Sequence, residues 1–209
     1  MLGVFAIFCA ITLEAFSPVG IVVLPLSFLM QIILREADRL SSLASNFLLY
    51  ARPPAGKPEP IELDKALRET VELFDKKGDT GKRVATTLQT QPGIWICMDP
   101  AHLRQILWNL LVNATEAIEE SGEIQVELAL AKDRQACLTI ADSGIGMAPE
   151  TLKSIFAPFF TTKPAGTGLG LSICKQLVEK MGGRATFIRR LAHAFREGYI
   201  NFGNEPAFM

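Results

Sequence analysis

The first 34 residues of the chain are predominantly apolar and carry a single charged side chain, Glu14. Prolines interrupt this run at positions 18 and 25, and the run is long enough to cross a bilayer. Three interpretations of residues 1–28 stay open: a membrane span, an interfacial hairpin broken near Pro18, and a non-native start of the chain. We favour the span. Arg35 and Arg39 follow it and predict an inner-membrane anchor with the rest of the chain on the cytoplasmic side.

Apolar side chains then recur in alternating steps of four and three over residues 31–51, which predicts one helix with a heptad seam. The proline-rich residues 52–58 cannot continue that helix and separate it from the next domain. Packing on its own domain and pairing with another helix are both open, and the linker favours pairing, so residues 29–52 are predicted to form a dimerisation helix. The seam consists of Ile33, Ala37, Leu40, Ala44, Phe47 and Ala51.

From residue 59 the pattern changes to the mixed periods of an α/β domain, which we expect to extend to residue 190. Strands are predicted over residues 83–88, 94–98, 123–131, 136–141 and 184–188, with a further strand over 198–202 left open. Residues 61–75 form either an amphipathic helix or a short strand leading into one. Further helices are predicted from Asp99–Pro100 to about Glu120, over 149–155, and from Gly168 to 182–183.

The charge balance of this 209-residue chain excludes a general electrostatic attraction to nucleic acid. Lys and Arg total 21 against 22 Asp and Glu, so an anionic ligand must be held by a local site. The four cysteines include no C-x-x-C pair, and we expect reduced thiols rather than a zinc site or disulfides.

The predicted helix from Asp99 carries a stripe of polar side chains, Gln105, Asn109, Asn113 and Glu116, at spacings of four, four and three. A solvated face usually consists of Lys, Glu and Arg, whereas asparagine weakens a helix. Carboxamide oxygens at one-turn spacing are suited to a hydrated Mg²⁺ and its attached phosphates. We therefore predict that Asn109 and Asn113 are metal ligands, with a solvated face as the alternative.

A second motif lies at the end of a predicted apolar strand, where Asp142 precedes Gly144 and Gly146. The motif D-x-G-x-G alone is common in ordinary turns. Its functional interpretation is that the Asp142 carboxylate accepts a hydrogen bond from a base amino group. The two glycines would then let the backbone approach the ligand closely.

Two further motifs lie downstream. Three phenylalanines occur within residues 156–160, ahead of Lys163 and a glycine-bearing segment, which predicts either core packing or an anchored hinge for a lid. Residues 166–171 read G-T-G-L-G-L and open a helix, where backbone N–H groups can bind phosphate. Their spacing differs from both the dinucleotide fingerprint and the P-loop.

The order of these four motifs resembles that of the sensor histidine kinases of two-component systems. Residues 109–114, 142–146, 156–163 and 166–171 resemble the N box, first glycine box, F box and second glycine box. Residues 35–40 and 50–53 resemble the second dimerisation helix of the nitrogen- and pilus-regulation type. The resemblance extends over about residues 29–188.

The resemblance implies a two-layer α/β sandwich of the histidine kinase and gyrase type, preceded by a long helix. It implies a protein-histidine kinase that binds ATP with Mg²⁺ and transfers the γ-phosphate for relay to a response regulator, with a homodimer formed through residues 29–52. The alternative is a non-catalytic nucleotide-binding and dimerisation module. The residues implied to contact nucleotide are Asn109, Asn113, Asp142, Gly144, Gly146, Lys163, Gly166, Thr167, Gly168, Leu169 and Gly170.

Two features depart from the family pattern. The acceptor histidine is expected in a helix before residue 29, where the sequence has none; its two histidines are His102 and His193. We therefore expect nucleotide binding without the usual self-phosphorylation, and assign no catalytic histidine. Residues 191–209 lack the expected closing Gly-Thr turn and are predicted to form an atypical tail.

Overall fold

The computed structural model describes residues 18–52, 56–77, 82–131, 135–163, 166–189 and 196–202. The chain divides into two compact units, residues 1–45 and residues 46–209. The first unit contains most of helix α1 (Pro18–Ala51), which is 34 residues long and so starts earlier than the predicted helix over 31–51. A proline is tolerated at this start because the first-turn N–H groups have no intrahelical partner.

The predicted heptad seam lies on the surface of α1. The side chains of Ile33, Leu40 and Phe47 are 61%, 65% and 50% exposed. Within the described ranges, no helix combines the length and the apolarity that a bilayer crossing requires. Residues 1–17 of the predicted span lie outside the described part of the chain.

The second unit is an α/β domain whose elements follow the predicted order. Its helices are α2 (Leu63–Lys77), α3 (Pro100–Ala117), α4 (Pro149–Ser154) and α5 (Gly170–Lys180). Its strands are β1 (Glu59–Glu62), β2 (Arg83–Thr90), β3 (Trp95–Met98), β4 (Ser121–Leu130), β5 (Ala136–Asp142), β6 (Arg184–Arg189) and β7 (Arg196–Phe202). Of the two alternatives for residues 61–75, the short strand leading into a helix is correct.

The strands form a five-stranded sheet in the order β2-β4-β5-β7-β6 and a two-stranded sheet of β1 and β3. The β2–β4 pair is parallel, and the other pairs are antiparallel. Strand β7 lies between β5 and β6, with Asp142 opposite Arg196 and Arg184 opposite Asn201. The sheet therefore extends beyond residue 190, and the open alternative of a strand near 198–202 is confirmed.

One face of the sheet is covered by helices, as the alternation along β4 shows. Ile124, Val126 and Leu128 are at most 2% exposed, whereas the side chains between them are exposed. Together with apolar residues of α2, α3 and α5, they form one core cluster. This arrangement is the predicted two-layer sandwich, and burial of apolar surface at its interface is the main stabilising contribution.

Helix α3 is held at both ends by side chains. At its start, the Asp99 carboxylate accepts hydrogen bonds from the backbone N–H of Lys57 at 2.6 Å and of Ala101 at 2.7 Å. These two bonds hold the pKa of Asp99 below its usual value. At its end, Lys82 Nζ donates to the carbonyl oxygens of Thr115 at 3.1 Å and Ile118 at 2.5 Å, where a cation is favoured.

The predicted end of this helix at about Glu120 is three residues too late. Ile118 has an extended backbone with φ −82° and ψ 133°, and its side chain is buried in the core. Helix α5 likewise starts at Gly170 and not at the predicted Gly168. Gly168 has a φ of +67°, which is incompatible with a right-handed helix.

Candidate functional site

Helix α3 is the element that the four sequence motifs share. Three segments contact this helix, each at a different level along its axis. They are the glycine-rich segment (residues 166–171), the phenylalanine segment (residues 156–163) and the acid-glycine turn (residues 142–146). The first contact is at Asn109 and the last at Ala117. At 1.5 Å per residue these levels span about 12 Å along the helix.

Asn109 contacts the start of the glycine-opened helix α5. Its Nδ2 donates to the carbonyl oxygen of Gly170 at 3.3 Å, and its Oδ1 accepts from Gln105 Nε2 at 3.2 Å. A Cβ atom built on Gly170 would lie 3.7 Å from Asn109 Cγ. The half-buried amide of Asn109 thus links α3 to α5, an arrangement that the predicted metal-ligand role does not include.

Asn113 and Glu116 lie about one and two turns further along α3 than Asn109, and both contact Lys163. The lysine Nζ donates to Asn113 Oδ1 at 3.1 Å and forms a shorter ion pair with Glu116 Oε2. A carboxamide oxygen and a carboxylate oxygen therefore converge on one cationic group. The lysine comes from a segment nearly fifty residues away in sequence, so only the tertiary fold creates this cluster.

The acid-glycine turn contacts the last residue of α3. The backbone N–H of Ile145 donates to the carbonyl oxygen of Ala117 at 3.0 Å. A Cβ atom built on Gly144 would lie 2.4 Å from the same oxygen, so only glycine fits there. Asp142 ends β5, is buried, and accepts a hydrogen bond on Oδ1 from the N–H of Gly144 at 2.9 Å.

Gly146 completes this turn in a different way. Its φ is +81°, in the region that glycine adopts without strain. A Cβ built there would meet no atom within 4 Å, so the backbone of this glycine borders open space. This is the environment that a backbone in close contact with a ligand needs.

The phenylalanine segment packs against the glycine-rich segment. A Cβ built on Gly168 would lie 2.4 Å from the carbonyl carbon of Phe159. Phe159 has a φ of +64°, a left-handed conformation that costs a bulky residue about 1–2 kcal/mol. Phe159 is 57% exposed, and its ring meets that of Tyr50 edge to face with the centroids 6.4 Å apart.

These contacts bear on the two alternatives for the phenylalanines. Phe156 is half-buried under the ammonium of Lys175, 5.5 Å from its ring centroid. None of the three phenylalanines, all of which lie in the described ranges, is fully buried, so the segment is a surface contact and not core. The hinge interpretation stays a prediction, because residues 164–165 lie outside the described part of the chain.

The start of α5 offers backbone donors next to this segment. Its N-cap residue, Leu169, makes no side-chain capping hydrogen bond. Leu169 itself is buried, and its N–H donates to Thr167 Oγ1 at 3.3 Å. The Leu169 N–H is therefore engaged, whereas the first N–H groups of α5 have no partner within the helix, which is the arrangement that favours an anion at a helix N-terminus.

The side-chain chemistry near α5 suits binding better than nucleophilic catalysis. Burial raises the pKa of the Cys174 thiol to about 12, with a smaller opposing effect of the Asn109 amide. A thiol with this pKa stays protonated and unreactive at neutral pH. Among the described residues, no cluster of three or more His, Cys, Asp or Glu side chains is suited to hold a metal ion.

Oxygen donors for Mg²⁺ are nevertheless present. The ammonium of Lys163 shows that Asn113 Oδ1 and Glu116 Oε2 point towards a common cation position. Mg²⁺ favours such oxygen ligands and is typically bound by one or two protein groups plus substrate phosphates. The residues of this site therefore fit a metal that arrives with a phosphate ligand.

A groove of about 540 Å³ lies elsewhere, lined by residues of β1, α2, β3 and the start of α3, among them Glu62, Leu73, Trp95 and Arg104. None of the predicted site residues lines it. We locate the site along α3 instead, because the groove lacks the glycine turns and carboxamides that the predicted chemistry requires.

Sequence reasoning did not assign two residues that support the site. Glu116 belongs to the predicted polar stripe, yet its pairing with Lys163 has no local signal. Lys82 is a single lysine before β2, and nothing in the adjacent sequence indicates that it caps α3. Of the two histidines, His102 lies at the start of α3, where a Cβ built on Gly56 would come within 2.9 Å of its ring, and His193 lies outside the described residues.

Comparisons with known proteins agree with this geometry. The sequence profile of a family described as histidine kinase-, DNA gyrase B-, and HSP90-like ATPase matches residues 98–200. Sensor histidine kinase ZraS of Klebsiella oxytoca is 37% identical over 150 residues, which are 71% of this chain and 32% of that protein. The chain thus spans about a third of the length of the curated relatives that it matches.

Solved structures show the same fold. The catalytic domain of histidine kinase ThkA has a TM-score of 0.62 at 29% identity, covering 70% of this chain and 95% of that one. The structure of ThkA in complex with response regulator protein TrrA has a TM-score of 0.69 at 27% identity and covers 85% of this chain and 52% of that one.

Proposed function

Residues 98–200 belong to the histidine kinase-, DNA gyrase B- and HSP90-like ATPase family, and on that premise we propose that they bind Mg²⁺–ATP for phosphoryl transfer to a histidine. The observation that carries the proposal is the order of contacts along α3. Asn109 contacts the start of α5, where backbone N–H groups can bind phosphate. Asn113 and Glu116 share a cation position, and Ala117 contacts the acid-glycine turn. An extended nucleoside triphosphate has a length comparable to this span.

The acid-glycine turn holds the base in this proposal. The buried carboxylate of Asp142 accepts a hydrogen bond from the adenine amino group, and Gly144 and Gly146 bring the backbone close to the ring. A carboxylate can accept from the amino group of adenine but not from the carbonyl oxygen that guanine presents at that position. The contact therefore favours adenine over guanine.

The phosphates lie at the opposite end, over the start of α5. The glycine-rich segment from Gly166 through Thr167, Gly168 and Leu169 to Gly170 would bind them through its backbone N–H groups, and Lys163 would contribute a positive charge. The N–H groups of Gly166 and Leu169 would first give up their hydrogen bonds to the Lys163 carbonyl oxygen and to Thr167 Oγ1. Asn113 holds the metal through its oxygen, and Asn109, once its amide is turned, is the second proposed ligand. Mg²⁺ bound there supplies neutralisation of the phosphate charge during transfer.

Partners are proposed from the same comparisons. ThkA was captured with a response regulator, and we propose a response regulator as the final acceptor for this chain. The exposed seam of α1 supports a homodimer through residues 29–52, since a helix with one apolar stripe is stabilised by covering it. We propose a cytoplasmic location for the domain, and an anchor in residues 1–28 stays a prediction.

Phosphoryl transfer is the test. The chain is incubated with γ-labelled ATP and Mg²⁺, together with a histidine-bearing dimerisation domain from a related kinase, and label on the added domain is measured. We expect transfer, its loss in Asn113→Ala, and its retention in Trp95→Ala, a variant in the groove. Tight ATP binding without any transfer to the added domain would contradict the kinase proposal and leave a nucleotide-binding module.

A further inference from the structure

The ammonium of Lys163 lies where two oxygen ligands of α3 converge. It donates to Asn113 Oδ1 at 3.1 Å and pairs with Glu116 Oε2. Asn113 and Glu116 are three residues apart and share one face of the helix. The lysine side chain is 38% exposed and that of Glu116 is 50% exposed.

An ordinary surface ion pair would explain the contact with Glu116 but not the one with Asn113. Exposed pairs of this kind contribute little to stability. The neutral carboxamide adds an oxygen at normal hydrogen-bond distance, and it belongs to the residue proposed to hold the metal. An ammonium and Mg²⁺ at the same oxygen would lie within a few ångströms of each other, where two positive charges repel strongly.

We propose that the Lys163 ammonium and the divalent cation are alternative, mutually exclusive partners of Asn113 Oδ1. Glu116 is then a positioning residue that keeps the ammonium beside the site. Metal loading releases the lysine from Asn113 and leaves it paired with Glu116. This inference rests on the proposed function, which supplies the metal.

The lysine backbone connects this exchange to the phosphate-binding segment. The N–H of Lys163 donates to Thr161 Oγ1 at 3.1 Å, and the N–H of Gly166 donates to the carbonyl oxygen of Lys163 at 3.1 Å. A Cβ built on Gly166 would lie 3.2 Å from Lys163 Cβ. The residue that carries the ammonium is therefore hydrogen-bonded through its backbone to the first glycine of the glycine-rich segment.

The experiment measures how strongly Mg²⁺ improves ATP binding. Calorimetry gives the dissociation constant for ATP in EDTA and in excess Mg²⁺, and their ratio is the metal factor. In the wild-type chain the metal must displace the ammonium, whereas in Lys163→Met it need not. The positive charge that Lys163 lends to the phosphates is present in both buffers, so its loss cancels in the ratio. Because a half-exposed charged contact is weak to moderate, we expect Lys163→Met to raise the metal factor about fivefold.

Two further variants separate competition from a general loss of positive charge. Lys175→Met removes an ammonium from the neighbouring helix α5, where it pairs with Glu179, and should leave the metal factor unchanged. In an Asn113→Ala background, Lys163→Met should no longer raise the metal factor, because Asn113 Oδ1, the oxygen for which the two cations compete, is absent. Glu116→Gln should raise the factor by a smaller amount than Lys163→Met.

An unchanged factor in Lys163→Met, or a rise that persists in the Asn113→Ala background, would overturn the inference. Either result, obtained with a chain that binds ATP, leaves the proposed function standing. A wild-type chain that binds no ATP in either buffer would instead refute the proposed function, and the inference would fall with it.

Discussion

Gly144→Ala is the substitution that most sharply tests how the acid-glycine turn is held against α3. The new Cβ would lie 2.4 Å from the Ala117 carbonyl oxygen, 1.0 Å short of the 3.4 Å at which ordinary contacts begin. The obstacle is backbone at the end of a helix, so the turn must move. That movement also weakens the hydrogen bond from Ile145 N–H to the same oxygen.

The expected cost combines two effects. Overpacking of a fitted contact costs about 1–3 kcal/mol, and loss of a backbone hydrogen bond adds about 1 kcal/mol. We expect the free energy of unfolding to fall by about 2–4 kcal/mol, measured by urea denaturation. Because Asp142 is hydrogen-bonded to the N–H of Gly144, its carboxylate shifts with the turn, and ATP affinity should fall about tenfold or more in calorimetry.

Gly93→Ala is the matched control. Gly93 also has a positive φ, +77°, and a Cβ there meets nothing within 4 Å. This variant carries only the strain of a left-handed alanine, about 1–2 kcal/mol, far along the sequence from the motifs. It should bind ATP as the wild-type chain does. Unchanged affinity in Gly144→Ala, or an equal loss in both variants, would refute the reasoning about the turn.

Three other expectations rest on single contacts. Asp142→Asn should weaken ATP binding more than GTP binding in competition calorimetry, and equal losses for both bases would argue against the adenine contact. Lys82→Met should lower the free energy of unfolding, measured in urea, by about 1 kcal/mol, because two carbonyl groups at the end of α3 lose their cation. As a control, Lys76→Met removes an exposed lysine and should change the free energy of unfolding by less than about 0.5 kcal/mol. Burial raises the pKa of Cys174 to about 12, so the contribution of this thiol to stability is complete below pH 9 and declines as the pH rises towards 12. At pH 8 iodoacetamide should modify the exposed Cys97 before Cys174. Equal rates of modification would contradict the burial of the Cys174 thiol.

Much of the fold can be inferred from local periodicity in the sequence. The polar stripe of α3 was predicted because residues four apart on a helix share a face. Strand β4 alternates in the way a half-buried sheet requires, as does the first part of β5. The position of β7 between β5 and β6 could not be predicted. Strand order depends on long-range pairing, and residues 196–202 contain few apolar positions and a glycine.

The site was predictable to the extent that its motifs are local. The steric need for glycine at 144 and 168 agrees with their place in the motifs. The contact of Asn109 with Gly170 and the pairing of Lys163 with Glu116 join segments 61 and 47 residues apart. Such contacts arise only when α3, α5 and the phenylalanine segment are packed, so no pattern in one window of sequence reveals them.

Amide chemical-shift mapping tests most directly whether the four segments surround one nucleotide. A ¹⁵N-labelled chain is titrated with Mg²⁺ and a non-hydrolysable ATP analogue. The amides of Asn113, Gly144, Gly146, Lys163, Gly168 and Gly170 should shift together along one saturating binding curve, while residues lining the groove at β1 and β3 should not respond. Shifts confined to the groove, or to only one of the four segments, would contradict a shared nucleotide site along α3.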